Sequence, residues 1–123
     1  MALQDFYTIQ PLPEIAGNKY SMLIVINPKH EVFKGHFSGN PVVPGVCIMH
    51  IVKDIAQQVT GSSLTLKTAV TVKFLSLINP EATPELDAEL EITETPDKYI
   101  KVKSTIRFNQ TTAVKLSCVY YKN

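Results

Sequence analysis

Apolar and polar residues alternate cleanly along two stretches of the second half of the chain. From Glu85 to Glu94, Leu86, Ala88, Leu90 and Ile92 alternate with acidic or polar neighbours, the period-two signature of a strand with one buried face. A turn at Thr95-Pro96-Asp97-Lys98 follows, and Tyr99 to Phe108 alternates again through Ile100, Val102, Ser104, Ile106 and Phe108. Asn109-Gln110 gives a second turn, and Thr112 to Tyr121 a last strand. Leu64 to Ile78 is long and mostly β-forming, and Asn79-Pro80 ends it. Tyr20 to Ile26 is nearly continuous in apolar residues, as in a strand buried on both faces, and stops at Asn27-Pro28. Residues 1–19 contain Pro11-Leu12-Pro13, which interrupts any regular element, and read as an irregular lead-in.

One stretch has helical spacing. Between Pro44 and Thr60, Gly45, Ile48, Met49, Val52, Ile55, Ala56 and Val59 share one face, while His50, Lys53, Asp54 and Gln57 share the other. Gly61 is a natural terminator. So wide an apolar arc predicts a helix largely wrapped by other structure, with His50 pointing out of the core. One early helix followed by long strands on short turns is an α+β pattern, an antiparallel sheet packed on that helix. Dimerisation edge to edge would cover the open edge of such a sheet, so an oligomer is expected.

Composition narrows the function. A chain of 123 residues is expected to form a single domain, 1–123, and its 45% apolar and 19% charged residues are ordinary for a globular protein. A net charge of +1 without a basic cluster argues against a nucleic-acid module. The start, Met1-Ala2-Leu3-Gln4-Asp5-Phe6, lacks the basic region and apolar run of a secretory signal. No apolar run approaches the ~20 residues of a spanning helix. A cytoplasmic protein without a membrane segment is therefore expected. Cys47 and Cys118 lie far apart, match no paired motif and read as buried free thiols.

The chemistry concentrates in the loop from Lys29 to Val43 and the helix it opens. Gly35-His36-Phe37-Ser38-Gly39-Asn40-Pro41-Val42-Val43-Pro44-Gly45-Val46 sets a histidine in a Gly- and Pro-punctuated frame. Pro44 suits a first helical turn, where its missing N–H has no partner to lose. Gly45 lets a substrate approach the backbone at the helix end that favours negative charge. A base beside an oxyanion binder is the resulting expectation. The bland alternative for His36, a loop histidine bonding backbone, is outweighed by the frame. His50 by itself reads as a solvated or interface residue, His30 as a loop residue, and Glu31 as a spare carboxylate near the loop. Gly39, Pro41 and Pro44 are most simply turn formers that hold the loop. The spacing of His30, His36, Cys47 and His50 predicts no metal site.

The run from His36 to Val46 closely resembles the G-H-F-x-G-x-P-x-x-P-G signature of the 3-hydroxyacyl-acyl-carrier-protein dehydratases, which opens the central helix of a hotdog fold. Val72-Lys73-Phe74-Leu75 resembles that family's K-F-x-x-P strand, with Leu77 where proline is common. The resemblance implies a long curved antiparallel sheet wrapped around one helix. It implies His36 as the base that removes the proton next to a thioester carbonyl, and the Gly45 N–H as the group that polarises that carbonyl. Phe37, Gly39, Pro44 and Val46 would then border the substrate, and no cofactor or metal is needed. The substrate would be an acyl carrier protein or coenzyme A thioester, its acyl chain in a tunnel between two subunits of a homodimer or an oligomer of dimers.

In that family an acidic residue five positions after the Pro-Gly glycine protonates the leaving hydroxide; here that position is His50. A protonated imidazole can do the same, and Asp54, four residues on, is placed to hold it cationic. Alternatively a related partner chain supplies the carboxylate in a heterodimer. Two further readings stay open: a hotdog thioesterase, and a non-catalytic acyl-binding or partner subunit. Chain length, carrier, and primary fatty acid synthesis versus a specialised acyl or polyene product are not distinguished by these residues.

Overall fold

The computed structural model describes residues 5–33 and 41–123, with 13–16 described by backbone alone. In chain order these form β1 (Tyr7–Ala16), β2 (Lys19–Ile26), a short 3-10 turn (Glu31–Phe33), α1 (Gly45–Thr60), β3 (Leu64–Phe74), β4 (Glu85–Glu94), β5 (Ile100–Phe108) and β6 (Thr111–Lys122). All six strands pair antiparallel in one sheet of order β1-β2-β4-β5-β6-β3. Alternation decides which way β4 and β5 face. Leu86 turns inward, as do Ala88, Leu90 and Ile92, in register with Ile106, Ser104 and Val102, and their acidic and basic neighbours turn to solvent.

The helix closes the inner face. Cys47, Ile48, Ile51, Val52, Ile55 and Ala56 are buried in one core with the inward residues of the sheet. Four of these six are β-branched and weak helix formers. Burial, at roughly 1.5–3 kcal/mol for each fully enclosed isoleucine, therefore holds α1 more than propensity does. Its end is fixed as expected: Gly61 takes the left-handed conformation (φ +67°), and its N–H donates to the Gln57 carbonyl. The Gln57 side chain in turn accepts from the Leu64 N–H (2.9 Å), which ties the helix end to the first residue of β3.

The structure corrects the sequence expectation in four places. The lead-in is not irregular, because residues 7–16 form β1. An edge strand can carry Pro11 on its unpaired side, and the pairing with β2 shifts register between Pro11 and Ile15. β2 is not buried on both faces: Met22, Ile24 and Ile26 are buried, whereas Leu23 and Val25 are only partly covered. β3 ends at Phe74 rather than Ile78. Leu75 and Ser76 both donate to the Ala113 carbonyl, and the Ile78 carbonyl then accepts the Val43 N–H just ahead of α1. Pro44 is the residue before the helix, with an extended ψ of 143°, and α1 begins at Gly45.

The β5–β6 hairpin turns on Asn109 and Gln110, both at positive φ (48° and 67°). A two-residue turn of that hand matches strand twist but strains a side-chain-bearing second residue. Gln110→Gly is expected to stabilise the fold by about 1 kcal/mol, which thermal unfolding would read as a rise of about 4 °C in Tm.

Candidate functional site

The start of α1 is chemically open. Pro44 precedes the helix and offers no side-chain cap, so the first amide groups keep their hydrogens free for another partner. The Cys47 and Ile48 N–H groups both reach the Pro44 carbonyl (3.0 and 3.3 Å). Those of Gly45 and Val46 meet no acceptor among the described residues. This is the positive end of the helix dipole, a place that favours a carbonyl gathering negative charge.

Apolar side chains border these amides. The Phe74 ring at the end of β3 lies on Gly45 so closely that a Cβ there would come within 2.7 Å of its Cζ. Only glycine fits with the ring in place. Val46 is 62% exposed and Phe74 51%, and Leu75 and Leu77 continue the patch. Apolar walls around two donors that meet no acceptor among the described residues suit a thioester, which carries an acyl chain on one side of a polar carbonyl.

Further along the helix, His50 is exposed and Asp54 partly covered, on the same polar face. The Asp54 carboxylate accepts a 2.6 Å hydrogen bond from the Tyr7 hydroxyl of β1. The Tyr7 ring stands edge-on to the His50 imidazole, with centroids 6.5 Å apart. Burial, then the bond to Asp54 and its charge, push the Tyr7 phenol well above its ordinary range, so it stays a donor. No described hydrogen bond joins His50 to Asp54.

The expected site residues therefore fall into three groups. Pro44, Gly45 and Val46 meet at the helix start, and His50 and Asp54 lie one and two turns beyond. His36, Phe37 and Gly39 lie outside the described residues. His30 occupies the turn before α1, where its Nδ1 accepts the Val32 N–H (3.0 Å) and its ring packs on Phe6. Sequence reading missed Tyr7, because the prolines after it hid a strand. It had Phe74 only as part of a strand motif, without its contact to Gly45. Among the described residues, no group of three His, Cys, Asp or Glu side chains is placed to hold a metal. Cys47 and Cys118 are buried and form no disulfide, and burial raises both thiols above their ordinary range. No helix among the described residues is long and apolar enough to cross a membrane.

A cleft of about 890 Å³ lies elsewhere, across the solvent face of the sheet. Its best-defined wall is the in-register row Lys19, Glu91, Lys103 and Ser117, and no residue of α1 lines it. Alternating charges on a solvated strand face account for this row without a ligand.

Comparison with known proteins gives a family match over most of the chain. The ApeI-like family model, described as ApeI dehydratase, matches residues 13–116. No curated protein matches the chain in sequence. Among solved structures, the dehydratase heterocomplex ApeI:P from Xenorhabdus doucetiae superposes with a TM-score of 0.69 at 20% identity, over 92% of this chain and 99% of that one. A hypothetical thioesterase from Streptococcus pneumoniae TIGR4, solved with coenzyme A, gives 0.70 at 10% identity over 99% and 91%. Cj0977, a sigma28-regulated virulence protein of Campylobacter jejuni, gives 0.69 at 12% identity over 100% and 88%. One helix packed against six antiparallel strands is the hotdog fold that these structures share.

Proposed function

Because the chain belongs to the ApeI-like dehydratase family, we propose that it removes water from a 3-hydroxyacyl thioester to give the trans-2-enoyl thioester. The observation that carries this reading is the uncapped start of α1, where the Gly45 and Val46 amides meet no acceptor among the described residues and lie beside exposed apolar side chains. The thioester carbonyl accepts from the Gly45 N–H. His36 takes the Cα proton, and the electron pair left behind forms the Cα–Cβ double bond as the Cβ–O bond breaks. The departing hydroxide takes a proton from His50 and leaves as water, and solvent exchange resets both imidazoles. The family match favours dehydration over the thioester hydrolysis suggested by the thioesterase neighbour. The handle is a carrier-protein or coenzyme A thioester.

The sheet edges support an assembly through β3. Pro11 and a register shift blunt the β1 edge. The β3 edge has two register shifts of its own but no proline, and Leu66, Val70, Val72 and Phe74 are all exposed along it. A partner strand there would cover the patch and place a second subunit beside α1. A second copy is the simplest partner. A related hotdog chain is the alternative reading, favoured by His50 standing where a carboxylate is usual.

The test is a hydration assay on the purified chain, following loss of the enoyl thioester's ultraviolet absorbance, with free thiol and particle mass measured alongside. The expected result is absorbance loss without thiol release, from a dimer. Thiol release instead would make the protein a thioesterase. Acyl thioester binding without turnover would make it a binding or partner subunit that needs another chain.

A further inference from the structure

Tyr7 links β1 to the middle of α1, across 47 residues of sequence, and does so beside His50. The backbone that carries it is firmly held. Phe6, immediately before it, is fully buried and packs edge-on against the Tyr7 ring at 6.0 Å. The Asn27 N–H donates to the Phe6 carbonyl (2.8 Å), and the Asn27 side-chain amide donates to the Asp5 carbonyl (2.9 Å). From this anchored position the hydroxyl reaches Asp54 Oδ2 at 2.6 Å, the length of a charge-assisted bond. Tyrosine has two side-chain torsions, so a seated backbone and a pinned hydroxyl leave its ring little freedom. The imidazole of His50, four residues before Asp54, meets that ring.

We infer that Tyr7 is a positioning residue for His50: Asp54 anchors its hydroxyl, and the anchored ring fixes the direction in which the His50 imidazole faces. The inference rests on His50 being the proton donor of the reaction proposed above. It also reassigns Asp54. With Oδ2 committed to Tyr7, the carboxylate works as an anchor for the phenol, and what it contributes is an acceptor oxygen. Asparagine, whose amide oxygen can accept the same bond, should therefore serve in its place far better than alanine.

A bond that merely staples β1 to α1 would change stability and leave the imidazole alone, so the test reads both. Tyr7→Phe, Asp54→Ala, Asp54→Asn and the double variant Tyr7→Phe/Asp54→Ala are assayed in the full chain, with its partner if turnover requires one. Tyr7→Phe and Asp54→Ala are each expected to lower kcat about tenfold with KM within about twofold, as a misplaced catalytic group does. The double variant should fall no further than either single one, since all three break the same bond. Asp54→Asn should recover most of what Asp54→Ala loses. The His50 imidazole resonances, followed by NMR, should move in Tyr7→Phe and return towards wild type in Asp54→Asn.

Unchanged kcat and unmoved imidazole resonances in Tyr7→Phe would overturn the inference, whatever happens to Tm. Losses in kcat that add in the double variant would overturn it as well. If the wild type shows no dehydration with any partner, the proposed reaction fails by itself. The resonances then decide alone: movement in Tyr7→Phe sustains the orienting role, and no movement ends it.

Discussion

His36→Ala is expected to lower turnover on a 3-hydroxyacyl thioester by roughly a thousandfold, and His50→Ala by about a hundredfold, within the range of general acid–base groups. The asymmetry follows from the two proton transfers. The Cα proton is weakly acidic and leaves only if a base takes it while the Gly45 amide steadies the carbonyl. The hydroxide that departs at Cβ can draw a proton from water when its donor is removed, more slowly but along the same path. KM should change little in either variant, because neither imidazole is needed to hold the acyl chain. His50→Glu is the sharper companion. If the chain works as a homodimer with His50 as donor, glutamate should sustain turnover, because it restores the carboxylate usual at this position. If a related partner supplies the acid, His50 lies at an idle position, and both His50 substitutions should leave the mixed assembly near wild type. His36→Ala should silence either assembly.

Much of this architecture was legible in the residues, for reasons that differ from one element to the next. β4 and β5 bury one face each, so alternation alone found them within a residue or two. The helix announced itself through its apolar arc and through Gly61, whose positive φ is what a helix end needs. β1 was hidden because prolines usually speak against a strand, and only tertiary position on the sheet edge makes Pro11 harmless. That one misreading removed Tyr7 from view, and with it the partner of Asp54. No sequence pattern reports a hydrogen bond across 47 residues, and the i, i+4 spacing pointed to His50 instead. Phe74 shows the same limit in milder form. Its strand was legible, but its ring resting on Gly45 depends on the turn of the chain after β3.

Gly45→Ala should leave the fold intact and cost about a hundredfold or more in turnover, the scale of losing an oxyanion-type donor. A new Cβ at Gly45 would sit 2.7 Å from Cζ of Phe74, too close to coexist with the ring as placed. The clash falls on the far end of a side chain that is half exposed, so the ring can swing into solvent at little expense. Alanine also favours a helix over glycine by up to about 1 kcal/mol, which offsets part of that. Thermal unfolding should therefore shift by no more than a few degrees. At the active end the consequences do not cancel, because the methyl stands where the thioester carbonyl must approach the amide. Adding Phe74→Ala to Gly45→Ala returns the lost space but leaves the methyl, so turnover should stay low. A recovery in that double variant would mean that the glycine serves only to seat Phe74, and that carbonyl polarisation belongs to another donor. Gly61→Ala, at the opposite end of the same helix and at positive φ, supplies the contrast. It should destabilise the fold by about 1 kcal/mol through left-handed strain while sparing turnover, separating damage to the helix from damage to the chemistry at its start.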